Sequence, residues 1–263
     1  MRAMFSVFRL RLREEMQYRG AVIGGVFCQT FFGLFLIAVY RALYETRPQP
    51  LPLQDVVSYV WLQQAFFRMF LSSDSELTDK IRTGSFAYDL CRPLDMYGYY
   101  YFRGMAQKLM GSLLRCVPML LIAVLLPEGW RLGAPASFSA LMCSLVSLLA
   151  GLLCVCALDS ITTGFTVRTL DGRGIQAALN LLMMTFSGNI LPLTLFPDSW
   201  QNVIRFLPYA QLLDAPIRIY SGSQPLNGVL SVWGLQLAWA VLLVLAGRKL
   251  WAVNRRHIVL QGG

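Results

Sequence analysis

Several apolar runs of about 20 residues dominate this sequence, and each run contains few charged residues. A helix needs a run of about that length to cross a bilayer, because a rise of about 1.5 Å per residue must cover a hydrocarbon core of about 30 Å. Of the 263 residues, 56% are hydrophobic and only 14% are charged, whereas a soluble domain is charged at about 25% of its positions. The sequence therefore predicts an integral membrane protein and excludes a soluble domain.

Six segments are candidate spans, and we expect an all-α polytopic protein that forms one transmembrane domain over residues 1–263. The candidate spans cover residues 21–43, 53–71, 98–126, 137–167, 175–195 and 229–250. The second is diluted by polar residues, but omitting it would place the two basic termini on opposite sides of the membrane. With six spans, most lysines and arginines face one side, so both termini are predicted to be cytoplasmic. The net charge of +9 then favours anionic lipid, and not nucleic acid, as the partner of the basic residues.

Residues 1–19 are predicted to form an amphipathic helix, because Phe5, Phe8, Leu12 and Met16 recur at helical spacing between arginines. Such a helix suits the inner membrane interface. The alternative is a basic flank with no further role.

Residues 73–95 form the most polar passage of the chain. Ser73 and Glu76 match a capping box, Glu76 and Lys80 are spaced to pair, and Gly84 is a helix stop. These features predict a short cytoplasmic helix over residues 74–83. Its apolar residues Leu77 and Ile81 share one face, which could seat in a groove of another protein. The alternative is a solvated connector helix.

Residues 187–222 contain four prolines, Pro192, Pro197, Pro208 and Pro216, so no single helix can cross the segment. We expect broken helices that enter the bilayer halfway from outside and form a gate. An ordinary amphipathic loop is the alternative.

Among the ionisable residues within the predicted spans, Arg68, Arg115 and Asp159 are the candidates for intramembrane charges. We expect Arg68 to reach the inner interface and Arg115 to pair with Asp159, because charges at that depth are usually paired. The pair could fix helix packing or line a substrate path.

No phosphate-binding Gly-x-x-x-x-Gly-Lys-Ser/Thr motif is present, so ATP and Mg, if used, are bound by another chain. Glu14, Glu15 and Arg19 spell Glu-Glu-x-x-x-Arg, which resembles a signature of intramembrane proteases. Those enzymes also need paired histidine motifs, and His257 is the sole histidine. We therefore expect no catalytic residue, metal site or cofactor in this chain. A channel or secondary transporter is the other alternative.

The chain resembles the permeases of type-2 ATP-binding cassette exporters, in the branch of multidrug and viologen exporter permeases. The segments that carry the resemblance are QYRGAVIGG, YVWLQQAFF, KIRTGSFAYDLCRPLD and the prolines after the fifth span. The resemblance implies a bacterial cytoplasmic membrane protein with two separate ATPase subunits and a second permease subunit, identical or homologous. The exported substrate would be hydrophobic or amphipathic, such as a drug, peptide or lipid-like molecule.

The resemblance also assigns roles to particular residues. It implies coupling to the ATPase for Glu76, Leu77, Asp79, Lys80, Ile81, Arg82 and Gly84. It implies a connector helix at Phe5, Phe8, Leu12 and Met16, and an outer gate at Gly188, Asn189, Pro192, Pro197 and Pro208.

Overall fold

The computed structural model describes residues 2–17, 19–46, 51–71, 77, 79–80, 83–93, 95–169, 173–190 and 192–254. All regular secondary structure in these ranges is helical, as predicted. The α-helices are α1 (Arg2–Glu15), α2 (Arg19–Thr46), α3 (Leu53–Phe70), α4 (Phe86–Leu90), α5 (Met96–Leu125), α6 (Phe138–Thr169), α7 (Arg173–Phe186), α8 (Asp198–Phe206), α9 (Asp214–Ser221) and α10 (Val229–Asn254). Two 3₁₀ turns cover Leu193–Leu195 and Leu226–Gly228.

Within the described residues, four helices are long and apolar enough to cross a membrane: Gly20–Thr46, Met96–Leu125, Phe138–Thr169 and Leu226–Asn254. They coincide with the first, third, fourth and sixth predicted spans. The second predicted span is the 18-residue helix α3, whose polar residues lower its hydropathy. The fifth predicted span is helical only as far as Phe186, and the 14 residues of α7 would cover about 21 Å. Six crossings therefore stay a prediction.

Helices α6 and α10 are parallel neighbours. Hydrogen bonds between them join Ser147 to Gln236, Ser160 to Trp251 and Gly164 to Asn254, so the two residue numbers rise together. The chain between these helices must therefore return from the end of α6 to the level of its start. It does so through α7, α8 and α9, and the amide of Ala136, just before α6, donates to the carbonyl of Tyr220 at 3.0 Å.

We name the two ends of the bundle by their residues. The head end is where α5 begins and α6 and α10 finish, and the loop end is where residues 127–137 and 187–225 lie. Helices α5 and α6 contain 30 and 32 residues, or about 45 and 48 Å. Both exceed the hydrocarbon thickness of about 30 Å, which leaves room for helical structure beyond the membrane boundary.

Helix α3 lies at the centre of the bundle, and most of its residues from Val56 to Phe70 are buried. Trp61 is fully buried and donates from Nε1 to the carbonyl of Trp130 at 2.7 Å. The hydroxyl of Ser58 accepts from the amide of Gly133 at 2.9 Å. The polar residues that dilute α3 thus serve in part to satisfy the backbone of the 127–137 loop, which folds against the helix.

Candidate functional site

The predicted coupling segment packs on the head end of its own chain through Leu77. This side chain is 1% exposed and belongs to a cluster that joins α4, α5, α6 and α10. The other buried members are Phe86, Tyr97, Tyr100, Val167 and Trp251. The expectation that Leu77 presents an apolar docking face to another protein is therefore wrong for this structure, because aromatic residues from distant parts of the chain cover it.

A buried carboxylate, Asp89, holds the same segment in place. Its Oδ2 accepts hydrogen bonds from Nζ of Lys80 at 2.9 Å and from the hydroxyl of Tyr100 at 2.8 Å, and Arg92 lies 3.8 Å from Oδ1. Burial alone would raise the pKa of Asp89. The hydrogen bonds from Lys80 and Tyr100, with the charges of Lys80 and Arg92, lower the pKa of Asp89 on balance.

The exposed side of the coupling segment includes Asp79 and Thr83. A helical turn is present there, because the amide of Thr83 donates to the carbonyl of Asp79 at 2.9 Å. Gly84 has a φ of +74°, in the left-handed region where glycine commonly ends a helix. Glu76, Ile81 and Arg82 lie outside the described residues, so the predicted pairing of Glu76 with Lys80 stays a prediction.

Helix α1 packs against α5, but the predicted apolar stripe is divided. Phe8 and Leu12 are half-buried, whereas Phe5 is 69% exposed and Met16, just beyond the helix, is 52% exposed. The face toward the bundle also includes Glu15.

Two glutamates of the protease-like motif therefore have structural neighbours. Glu14 accepts a hydrogen bond from Arg11, and Glu15 lies beside Gly111 of α5 together with Arg68. His257 lies outside the described residues. Within the described residues, these glutamates have Arg11, Gly111 and Arg68 among their neighbours.

The ion pair of Asp159 differs from the prediction. Asp159 pairs with Lys108, with 2.8 Å between Oδ2 and Nζ, and both side chains are largely buried at 19% and 5% exposure. Lys108 also donates to the carbonyl of Leu71, at the end of α3, at 2.8 Å. The pairing of Arg115 with Asp159 is wrong, because Lys108 lies on the side of α5 that faces α6 and α3.

Arg115 instead points to the start of α2. Its Nη2 donates to the carbonyl of Ala21 at 3.3 Å, and its guanidinium lies against Gly25, where a Cβ atom would come within 2.8 Å of Cζ. Gly25 therefore leaves the space that this side chain needs. Arg68, near the end of α3, lies close to Gly111, and it lines a small cleft with Lys108 and Asp159.

At the loop end, the predicted gate residues Gly188 and Asn189 contact α3. Gly188 has a φ of +83°, and a Cβ atom on it would lie 2.0 Å from the hydroxyl oxygen of Tyr59, so only glycine fits. Nε2 of Gln63 donates to Oδ1 of Asn189 at 3.0 Å. The chain therefore leaves the helical path of α7 at the level of the middle of α3.

Asp214 is a fully buried acid in the same region. Its Oδ2 accepts from Nε of Arg218 at 2.7 Å, and its Oδ1 lies 3.4 Å from the hydroxyl of Tyr59. A polar network thus joins α3 and α9 beside Gly188. Among the predicted gate prolines, Pro192 and Pro208 are buried and Pro197, which precedes α8, is exposed.

The turn before α9 packs deep against α6. A Cβ atom on Gly151 would lie 2.8 Å from the carbonyl oxygen of Leu212, and Gly151 is 13 residues, or about 20 Å, along α6. Backbone carbonyls of this broken segment are satisfied by side chains: Gln236 donates to Gln211 at 2.7 Å and Trp239 donates to Phe206 at 2.9 Å. Irregular backbone at such depth needs partners of this kind.

Sequence reasoning missed four polar residues that organise these sites: Asp89, Lys108, Asp214 and Gln236. Gln236 is fully buried and bonds Ser147 as well as Gln211. Its position within an apolar run was the available signal, since a polar side chain there needs a partner. For Asp89 and Asp214, which lie in polar or irregular segments, the sequence carried no comparable signal.

A comparison with protein families finds a match that covers most of the chain. The family is described as ABC-2 family transporter protein, and its profile matches residues 29–262. No curated protein matches the chain. The matched range includes part of the first long apolar helix, the whole of the other three, the Asp89 network and both loop-end networks. The chain belongs to the ABC-2 family of transporter proteins.

Proposed function

We propose that this chain is the permease subunit of an ATP-driven exporter, coupled through residues 73–95 to a separate ATPase chain that binds ATP and Mg. Two ATPase copies and a second permease would complete the transporter in a bacterial cytoplasmic membrane, with both termini of this chain in the cytoplasm. The substrate is a hydrophobic or amphipathic molecule. Membership of the ABC-2 family supports a membrane permease that works with ATPase subunits.

The observation that carries the coupling proposal is the attachment of Leu77, Lys80 and Asp89 to the head end. Leu77 is enclosed by residues of α4, α5, α6 and α10, and Asp89 ties Lys80 to Tyr100 of α5. A force applied to the exposed side, which includes Asp79, is therefore transmitted to three long helices at once. In this proposal Leu77 is an internal anchor, and the ATPase contacts the exposed side of the segment.

The gate proposal rests on the loop end. Gly188, Asn189 and Pro208 accompany a backbone that turns against α3 and α6 at depth, where side chains supply its hydrogen bonds. Movement of α6 at the head end would shift Gly151 against Leu212 and so disturb the broken segment. ATP-driven closure would favour an arrangement with altered affinity for the substrate.

Affinity purification in mild detergent tests the coupling. The wild-type chain is expected to retain a protein that carries Gly-x-x-x-x-Gly-Lys-Ser/Thr, identified by mass spectrometry. Asp79→Lys should reduce the retained ATPase at least fivefold, because a charge is reversed on the exposed side of the segment. Glu128→Lys, the same charge change at the loop end, is the matched control and should retain the ATPase fully.

Two outcomes would contradict the proposal. One is equal retention of the ATPase by wild type and Asp79→Lys, which would exclude a contact at this side of the segment. The other is substrate flux in liposomes that contain the purified chain without any ATPase, which would identify a channel or secondary transporter.

A further inference from the structure

An apolar groove of about 560 Å³ lies on the outside of the bundle between α2 and the loop end of α5. Its lining residues are Phe31, Leu34, Phe35, Leu126, Pro127 and Trp130. Phe31 and Phe35 are 60% and 55% exposed, so the groove opens on the surface of α2. Because every lining residue is apolar, the groove suits a hydrocarbon chain better than a polar solute.

Arg41 lies at the loop end of this groove. Its guanidinium is 4.9 Å from the centre of the Trp130 ring, and its Nη1 donates to the carbonyl of Gly129 at 3.4 Å. An arginine has five N–H donors in a planar fork that matches a phosphate. Within the described part of the chain, Glu45 makes no ion pair with Arg41, and Glu128 pairs with Arg131 at 3.2 Å.

The length of α2 relates the groove to the bilayer. Ala21, which accepts the hydrogen bond of Arg115, and Arg41 are 20 residues apart, or about 30 Å, which is the hydrocarbon thickness. Phe31 lies halfway between them. The groove therefore extends inward from Arg41 by about 15 Å, the depth of one leaflet. Trp130 lies beside Arg41, at the level where tryptophan is enriched at membrane boundaries.

We propose that this groove is a phospholipid site in the leaflet at the C-terminal end of α2. One acyl chain would lie along Phe31, Leu34 and Phe35, and the phosphate would accept hydrogen bonds from Arg41 above the Trp130 ring. The site is independent of the coupling proposal, because it involves neither residues 73–95 nor an ATPase.

Quenching of Trp130 fluorescence tests the site. Full-length protein in detergent is titrated with phosphatidylglycerol that carries brominated acyl chains, or with diacylglycerol that carries the same chains and no phosphate. Subtracting the signal of Trp130→Phe isolates the Trp130 contribution. We expect the phospholipid to quench at lower concentration than the diacylglycerol. Arg41→Gln should raise the half-quenching concentration of the phospholipid about tenfold, the factor typical of losing one charge-assisted hydrogen bond.

Two further variants keep the test decisive. Arg131→Gln removes the same charge from the neighbouring 127–137 loop, outside the groove, and should leave phospholipid quenching unchanged. Phe35→Ala removes part of the groove wall, and should weaken phospholipid and diacylglycerol alike even if Arg41→Gln folds poorly. Equal half-quenching concentrations for wild type and Arg41→Gln would overturn the proposal. So would equal quenching by both lipids, or quenching by neither, as expected if another protein subunit covers the groove.

Discussion

Replacing Lys108 by methionine should destabilise the bundle by about 3 kcal/mol. Breaking a buried ion pair by removing one partner costs about 3–5 kcal/mol, because the other charge is left uncompensated. The lower end of that range applies here, since the Asp159 side chain keeps 19% of its surface exposed. The substitution also removes the donor to the Leu71 carbonyl. At about 2–4 °C per kcal/mol for a chain of this size, the apparent Tm should fall by about 6–12 °C.

Heating the purified protein in detergent at one fixed rate, followed by fluorescence size-exclusion chromatography, measures this loss without requiring reversible unfolding. Adding Asp159→Asn to Lys108→Met should recover about half of the lost Tm, because the uncompensated buried carboxylate is then absent. Arg115→Gln is the control and should lower the Tm by less than about 3 °C, since the hydrogen bond of its guanidinium goes to an exposed backbone carbonyl. If Arg115→Gln were as damaging as Lys108→Met, the assignment of Lys108 as the partner of Asp159 would be refuted.

Two other substitutions probe the loop end and the head end. Gly188→Ala should lower stability by about 2–4 kcal/mol, because the added methyl group sits on a left-handed backbone and collides with Tyr59. The Tm measures this loss, and Gly24→Ala, where the added methyl group meets open space, is the control that should keep its stability. An unchanged Tm for Gly188→Ala would contradict the close contact. The pKa of Asp89 is lower in the folded than in the unfolded protein. The ionised carboxylate therefore stabilises the fold fully above the unfolded pKa of about 3.9, and this stabilisation is lost as the pH falls through the folded pKa. Amide hydrogen exchange in residues 83–93 should therefore be faster in Asp89→Asn than in wild type at neutral pH. The two exchange rates should become equal as the pH falls below about 3.9. A constant difference at all pH values would count against the carboxylate network.

The helices and their membrane character were predictable because both depend on local sequence. An apolar run of sufficient length needs a bilayer wherever it occurs, and the runs at 21–43, 98–126, 137–167 and 229–250 all coincide with long helices. The proline-rich segment after α7 was also predictably irregular, because proline cannot donate a backbone hydrogen bond. The glycine at 188 was expected to matter, but its contact with Tyr59 is a property of the fold.

The partners of polar and apolar side chains were not predictable, because they come from residues far apart in the chain. Leu77 was predicted to meet another protein, and the structure buries it against residues of α5, α6 and α10. Asp159 was matched to Arg115 as the obvious charge within a neighbouring span, but the face of α5 that packs toward Asp159 carries Lys108. The sequence by itself determined a multi-pass helical membrane protein of the ABC-2 family, since the lengths of its apolar runs and its motifs are properties of contiguous residues. Only the tertiary structure decided which charges pair and which residues are covered. The sequence of a helix does not say which of its faces meets a neighbouring helix, and that choice is made by packing.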